Sequence, residues 1–80
     1  MFRNRVLQFE NIIQKIHEEF NNAKVKHKDF ETYHHGYAVI LEELDELWDE
    51  IKKQKPNKEN LKKEATQIAA MCIRFITDLL

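Results

Sequence analysis

Glu42-Glu43-Leu44-Asp45-Glu46-Leu47-Trp48-Asp49-Glu50 carries the strongest pattern in the chain. Six of its nine residues are acidic, and its apolar residues recur three and four apart, the spacing of one face of an α-helix. The same stripe runs back through Leu41, Ile40 and Tyr37 and forward to Ile51, so a helix is expected from about Tyr33 to Lys53. Thr32 precedes it as a good N-cap. Gly36 falls in its first turn, where a missing side chain lets another backbone come close.

On the C-terminal side, Lys52-Lys53-Gln54-Lys55-Pro56-Asn57-Lys58 is the clearest break. Pro56 disfavours helix at the residue before it, and Asn57 is suited to cap the next one. A third helix is expected from Lys58 to the end, with Leu61, Ala65, Ile68, Ala69, Cys72, Phe75, Ile76 and Leu79 on one broad face. Ala70, Met71, Ile73 and Leu80 carry apolar character around most of that cylinder, so it must be covered on more than one side. On the N-terminal side, Phe2, Val6, Phe9, Ile13, Ile16 and Phe20 form one stripe of a first helix over about residues 2–26, with Arg3, Arg5, Gln14, Lys15, Glu18 and Glu19 on its other faces. Lys24 to Glu31 reads as a helix end and a connection.

Eighty residues make one domain, 1–80. One Gly and one Pro permit few tight turns, which argues for a few long helices. The expected fold is all-α: an antiparallel helical bundle of three helices per chain. So small a chain buries a limited core, and the third helix has more apolar surface than two others can hide. A homo-oligomer, a homodimer or homotetramer with the third helix against its copy, is therefore expected to complete a four-helix or larger bundle. A net charge of −1 provides no field for a nucleic-acid polymer or an acidic membrane. The run from Ile68 to Leu80 is too short to span a bilayer and contains Arg74 and Asp78. Met-Phe-Arg-Asn-Arg is not followed by a signal-type apolar core. The single Cys72 forms no internal disulfide, which fits a reducing, cytoplasmic setting.

The acidic residues are spaced for chemistry. Glu43, Glu46 and Glu50 follow i, i+3, i+7 and share a stripe that Glu42 can also reach. On the third helix Glu64, Gln67, Met71 and Asp78 fall in a narrow arc. Carboxylates crowded this closely repel one another, and burial worsens the conflict unless a cation joins them. Oxygen pairs on two facing helices suit Mg²⁺, with Mn²⁺ an accepted substitute. Spacing alone, however, favours an ordinary solvated face neutralised by Lys52, Lys53, Lys55, Lys62 and Lys63.

His35-Gly36-Tyr37-Ala38-Val39-Ile40-Leu41-Glu42-Glu43-Leu44-Asp45-Glu46-Leu47, followed by Glu64-Ala65-Thr66-Gln67-Ile68-Ala69-Ala70-Met71, resembles the MazG-like all-α nucleoside triphosphate pyrophosphohydrolases over roughly residues 32–80. That family carries an ExxE pair on one helix and an ExxD pair on the next. The resemblance implies Mg²⁺ held by these carboxylates and hydrolysis of an NTP or dNTP to the monophosphate and pyrophosphate. Glu43 and Glu46 match ExxE, and Glu64 matches the first position of ExxD. They would be the catalytic metal ligands, with Gln67 in the family's Asp position and Glu42 in support. A neutral amide there offers one carbonyl oxygen and no charge. The family also carries a further helical segment after the second pair, a wall that a neighbouring subunit would supply here. The competing expectation is a non-catalytic helical oligomer or interaction module that keeps the fold with a degraded metal site.

Other residues carry weaker signals. His34 and His35 point about 100° apart on a helix, so one ion cannot readily take both, and capping or surface roles are expected. His17 and His27 read as packing, surface or connection residues. No zinc-ligand spacing occurs. Trp48 and Tyr37 could stack on a base, but their place on the apolar stripe favours packing. Cys72 is expected to be a buried structural thiol. Lys24, Lys26 and Lys28 could equally bind triphosphate or solubilise the surface.

Overall fold

A computed structural model describes the backbone of residues 2–80, and side chains from Arg5 onward. The places given above to Phe2 and Arg3 lie outside the described side chains. The described residues form three helices and no strand: α1 (Phe2–Lys26), α2 (Tyr33–Ile51) and α3 (Lys58–Leu79).

Both expected N-caps are made. Thr32 Oγ1 accepts from His35 N at 3.0 Å, and Asn57 Oδ1 accepts from Glu59 N at 2.9 Å and Asn60 N at 3.1 Å. Each cap satisfies amide donors that have no carbonyl within the helix. α2 ends at Ile51, two residues before the expected Lys53. There the Lys53 amide turns to Glu50 O at 3.3 Å, a tighter i→i+3 closure.

α3 lies between α1 and α2, which have no Cα atoms within 8 Å of each other among the described residues. Gly36 of α2 meets Phe75 and Leu79 of α3, and Glu50 meets Asn57 and Asn60 at the other end. α2 and α3 are therefore antiparallel. α1 runs parallel to α3: Lys15 and Glu19 flank Glu59 and Lys63, while Lys24 pairs with Asp78. The chain goes up, down and up. α1 and α2 thus cover α3 on two sides, while Cys72, Ile73 and Ile76 stay exposed.

The core is small. Ala23, Phe30, Ala70 and Met71 are buried, with Ile16, Phe20, Val39, Ile40, Phe75 and Leu79 packed against them. At Gly36 an added Cβ would lie 2.6 Å from Phe75 Cδ2, so the glycine is what lets α2 and α3 approach there. Two expectations about α2 and α3 need correcting within the single chain. Tyr37 and Trp48 are not core residues; they are 63% and 57% exposed. Cys72 is exposed rather than buried. The reason is shared. α2 turns its 36/40/43/47/50 face to α3, so the neighbouring 37/41/44/48 face looks outward, and Cys72 lies on the adjoining outward side of α3.

Candidate functional site

Glu43 and Glu46 lie one helical turn apart on α2, and antiparallel packing sets Glu64 of α3 beside them. One carboxylate oxygen from each falls within 4.8 Å of the others. With its amide nitrogen turned toward them, Gln67 donates to Glu43 Oε2 at 3.0 Å and to Glu64 Oε2 at 3.3 Å. The four residues matched by the resemblance are thus gathered at one place between two helices.

Burial and mutual repulsion strain the carboxylates. Desolvation, then Glu46 and Glu64, push Glu43 up to about 7. Glu64 is also raised, by desolvation and then by Glu46. Such a cluster is eased in two ways: by a proton shared between acids, or by a cation. The donor set fits a hard divalent ion. Glu43, Glu46 and Glu64 would each offer such an ion one oxygen, and its charge would relieve their mutual repulsion. Gln67 can serve either state. Nitrogen forward, it bridges carboxylates; oxygen forward, it is a neutral ligand.

Glu42, Glu43 and Gln67 also border an open cleft of about 540 Å³, whose far side carries Lys26, His27 and Lys28 from the end of α1 and the connection after it. An acidic wall faces a basic one. Of the α1 lysines, Lys24 is committed elsewhere, to Asp29 and to Asp78 Oδ1 at 2.7 Å. His35 borders the cleft, stacks edge-on against Phe30 at 5.3 Å between centroids, and receives a long contact from Glu31 N. His34 lies on the opposite side, with Tyr33 and Tyr37.

Glu50 does not join the acidic cluster, although its i+7 spacing from Glu43 suggested that it shares the stripe. It is buried and latches the connection between α2 and α3. Its carboxylate accepts from Asn57 N at 2.9 Å, Lys53 Nζ at 2.9 Å and Asn60 Nδ2 at 3.2 Å. The Asn57 amide, then Lys53, hold its pKa below the usual range.

Asp78 has a comparable role at the other end. Its side chain is 1% exposed. Desolvation would raise its pKa, but the Lys24 ammonium, the Phe30 N–H at 3.0 Å and Arg74 together hold it low. Arg74 is buried beside it, 4.2 Å above the Phe30 ring, and donates to Lys28 O at 2.9 Å. These contacts pin residues 28–30 over the end of α3, and with them the basic wall of the cleft. This network is nearly invisible along the chain. Its only sign was an i, i+4 Arg–Asp pair inside an otherwise apolar helix.

Compared with protein-family models, curated proteins and solved structures, the chain matches none. No helix among the described residues is long and apolar enough to cross a membrane.

Proposed function

We propose that this chain is a Mg²⁺-dependent nucleoside triphosphate pyrophosphohydrolase, working as a homo-oligomer in a reducing, cytoplasmic setting. The observation that carries the reading is the convergence of Glu43, Glu46 and Glu64 within 4.8 Å, with Glu43 also bordering a cleft. It goes together with the ExxE and Exx(Gln) spacing that resembles the MazG-like family. Glu43, Glu46 and Glu64 hold the ion, and Gln67 contributes its carbonyl oxygen. When bound, Mg²⁺ or Mn²⁺ supplies charge neutralisation for the phosphates and a water of lowered pKa. Lys26 and Lys28, across the cleft, face the phosphate chain as point charges. Glu42, at the cleft edge, is placed to accept a hydrogen bond from water or sugar. Attack of water at the α-phosphorus breaks its bond to the bridging oxygen, giving the monophosphate and pyrophosphate.

The test is pyrophosphate release from a panel of NTPs and dNTPs with Mg²⁺ or Mn²⁺, beside a Glu43→Gln/Glu46→Gln control. Turnover lost in the control supports the enzyme. Absence of turnover, with no metal-dependent thermal shift, rules it out.

A specific observation favours a second reading, a non-catalytic helical oligomer or interaction module. The Gln67 amide nitrogen can bridge Glu43 and Glu64 with no cation present. In that case Mg²⁺ leaves the melting temperature unchanged at every pH.

A further inference from the structure

The cleft changes character along its length. Its floor is one face of α3, where Gln67, Met71 and Arg74 follow i, i+4, i+7 and all border it. Gln67 belongs to the acidic end. Met71, with Ala23 and Val39, makes an apolar waist. Arg74 marks the other end, about 10 Å beyond Gln67 along the helix axis, where Lys26, His27 and Lys28 also line the cleft.

The cations at that end lack matching anions. Lys26 and Lys28 form no ion pair among the described residues. Arg74 is 3% exposed. Its Nη2 donates to the neutral Lys28 carbonyl at 2.9 Å. Its Nη1 meets the Met71 thioether at 3.4 Å, and its Nε has no hydrogen-bond partner. A buried guanidinium is ordinarily matched by carboxylate or phosphate oxygens, yet two of these three nitrogens reach no oxygen. Asp78 Oδ2 stays 3.9 Å from Nε and accepts from Phe30 N instead, while Oδ1 accepts from Lys24 at 2.7 Å. Asp29 is also taken by Lys24. The acidic cluster is too far to cancel this charge, because salt at 0.1 M screens exposed charges over about 10 Å.

We infer that the basic end of the cleft is an anion subsite that takes a phosphate group without a metal, with Lys26 and Lys28 at its rim and Arg74 beneath them. The lysine ammonium groups contact the phosphate oxygens. Arg74 is a positioning residue: by holding the Lys28 carbonyl it fixes where Lys28 stands, and it adds charge from below. The subsite needs neither ion nor nucleoside, so it does not depend on the catalytic reading. Where that reading also holds, the group bound here is the terminal phosphate, farthest from the nucleoside.

Isothermal titration of the full chain with inorganic tripolyphosphate, in EDTA at low salt, tests the assignment, and amide chemical shifts locate the binding. Wild type is expected to bind, with shifts centred on Lys26 to Phe30 and on Arg74. Lys28→Ala is expected to bind roughly tenfold more weakly, the size of one lost hydrogen bond to a charged group. Lys52→Ala/Lys55→Ala, away from the cleft, is expected to bind as wild type does. Folded Arg74→Met is expected to lose tripolyphosphate affinity while its Mg²⁺ affinity stays at the wild-type value, a split that a merely structural role does not produce. No binding by folded wild type in EDTA overturns the proposal. So do equal losses in Lys28→Ala and Lys52→Ala/Lys55→Ala, or shifts centred on residues 52–58. Binding in EDTA without turnover of any nucleotide sustains the subsite and removes the enzyme; turnover without binding in EDTA does the reverse.

Discussion

With its amide nitrogen turned toward α2, Gln67 of α3 donates to Glu43 Oε2 at 3.0 Å, and the same nitrogen lies 3.3 Å from Glu64 Oε2. One neutral side chain thus links the carboxylates of two helices. An Asp there would repel Glu43 and Glu64; the amide can hold the cluster together in the absence of an ion and turn its oxygen inward when one arrives.

Replacing Gln67 with Glu, its isosteric acid, separates these two roles. The variant loses the bridging donor and gains a charge, so without divalent cation its melting temperature falls below wild type. Its Mg²⁺ affinity rises by roughly tenfold, a typical size for a change beside a metal ligand. Isothermal titration and thermal melts with and without Mg²⁺ measure both effects. Unchanged affinity shows that residue 67 does not face the ion.

Stability should also depend on pH in a diagnostic direction. The Glu43 pKa is raised from 4.5 to about 7 in the folded protein. Folded chains therefore hold more protons than unfolded chains between those values, and stability falls as pH rises across that window. Saturating Mg²⁺ offsets the loss, so the cation-induced gain in melting temperature is larger at pH 8 than at pH 5. Melts followed by circular dichroism across that range check this, and Glu43→Gln should flatten the profile.

The Arg74–Asp78 network predicts an order among variants. Asp78→Ala removes the acceptor for Lys24 and for the Phe30 amide and leaves Arg74 as a buried charge, at a cost of about 3 kcal/mol or more. Arg74→Met keeps much of the volume and leaves Asp78 paired with Lys24, so it costs less. Urea denaturation midpoints give the ranking, and equal costs would contradict it.

Glu50→Ala tests whether the carboxylate at the end of α2 serves the fold or the ion. It removes the acceptor for Asn57 N, Lys53 and Asn60. The melting temperature should drop while Mg²⁺ affinity stays at the wild-type value. Weakened Mg²⁺ binding in a folded Glu50→Ala protein would place Glu50 in the cluster after all.

Much of this molecule is legible along the chain because the deciding interactions are local. Helix periodicity, the Thr32 and Asn57 caps and the Pro56 break involve residues within a few positions of one another, and they located three helices to within two residues. The i, i+3 spacing likewise put Glu43 beside Glu46, and Glu64 beside Gln67. Spacing along one helix says nothing of which helix faces which, and there tertiary packing ruled. Docking α2 on α3 through Gly36 turned the 43 position inward and the 41, 44 and 48 positions outward, so acids met across the helix pair while Trp48 and Tyr37 were left exposed. Glu50 and Asp78 went to the two connections because the backbone amides of Asn57 and Phe30 happened to lie there. Those partners are 7 and 48 residues away in sequence. A one-dimensional pattern carries the period of a helix, whereas the partner of a buried charge depends on how the helices meet.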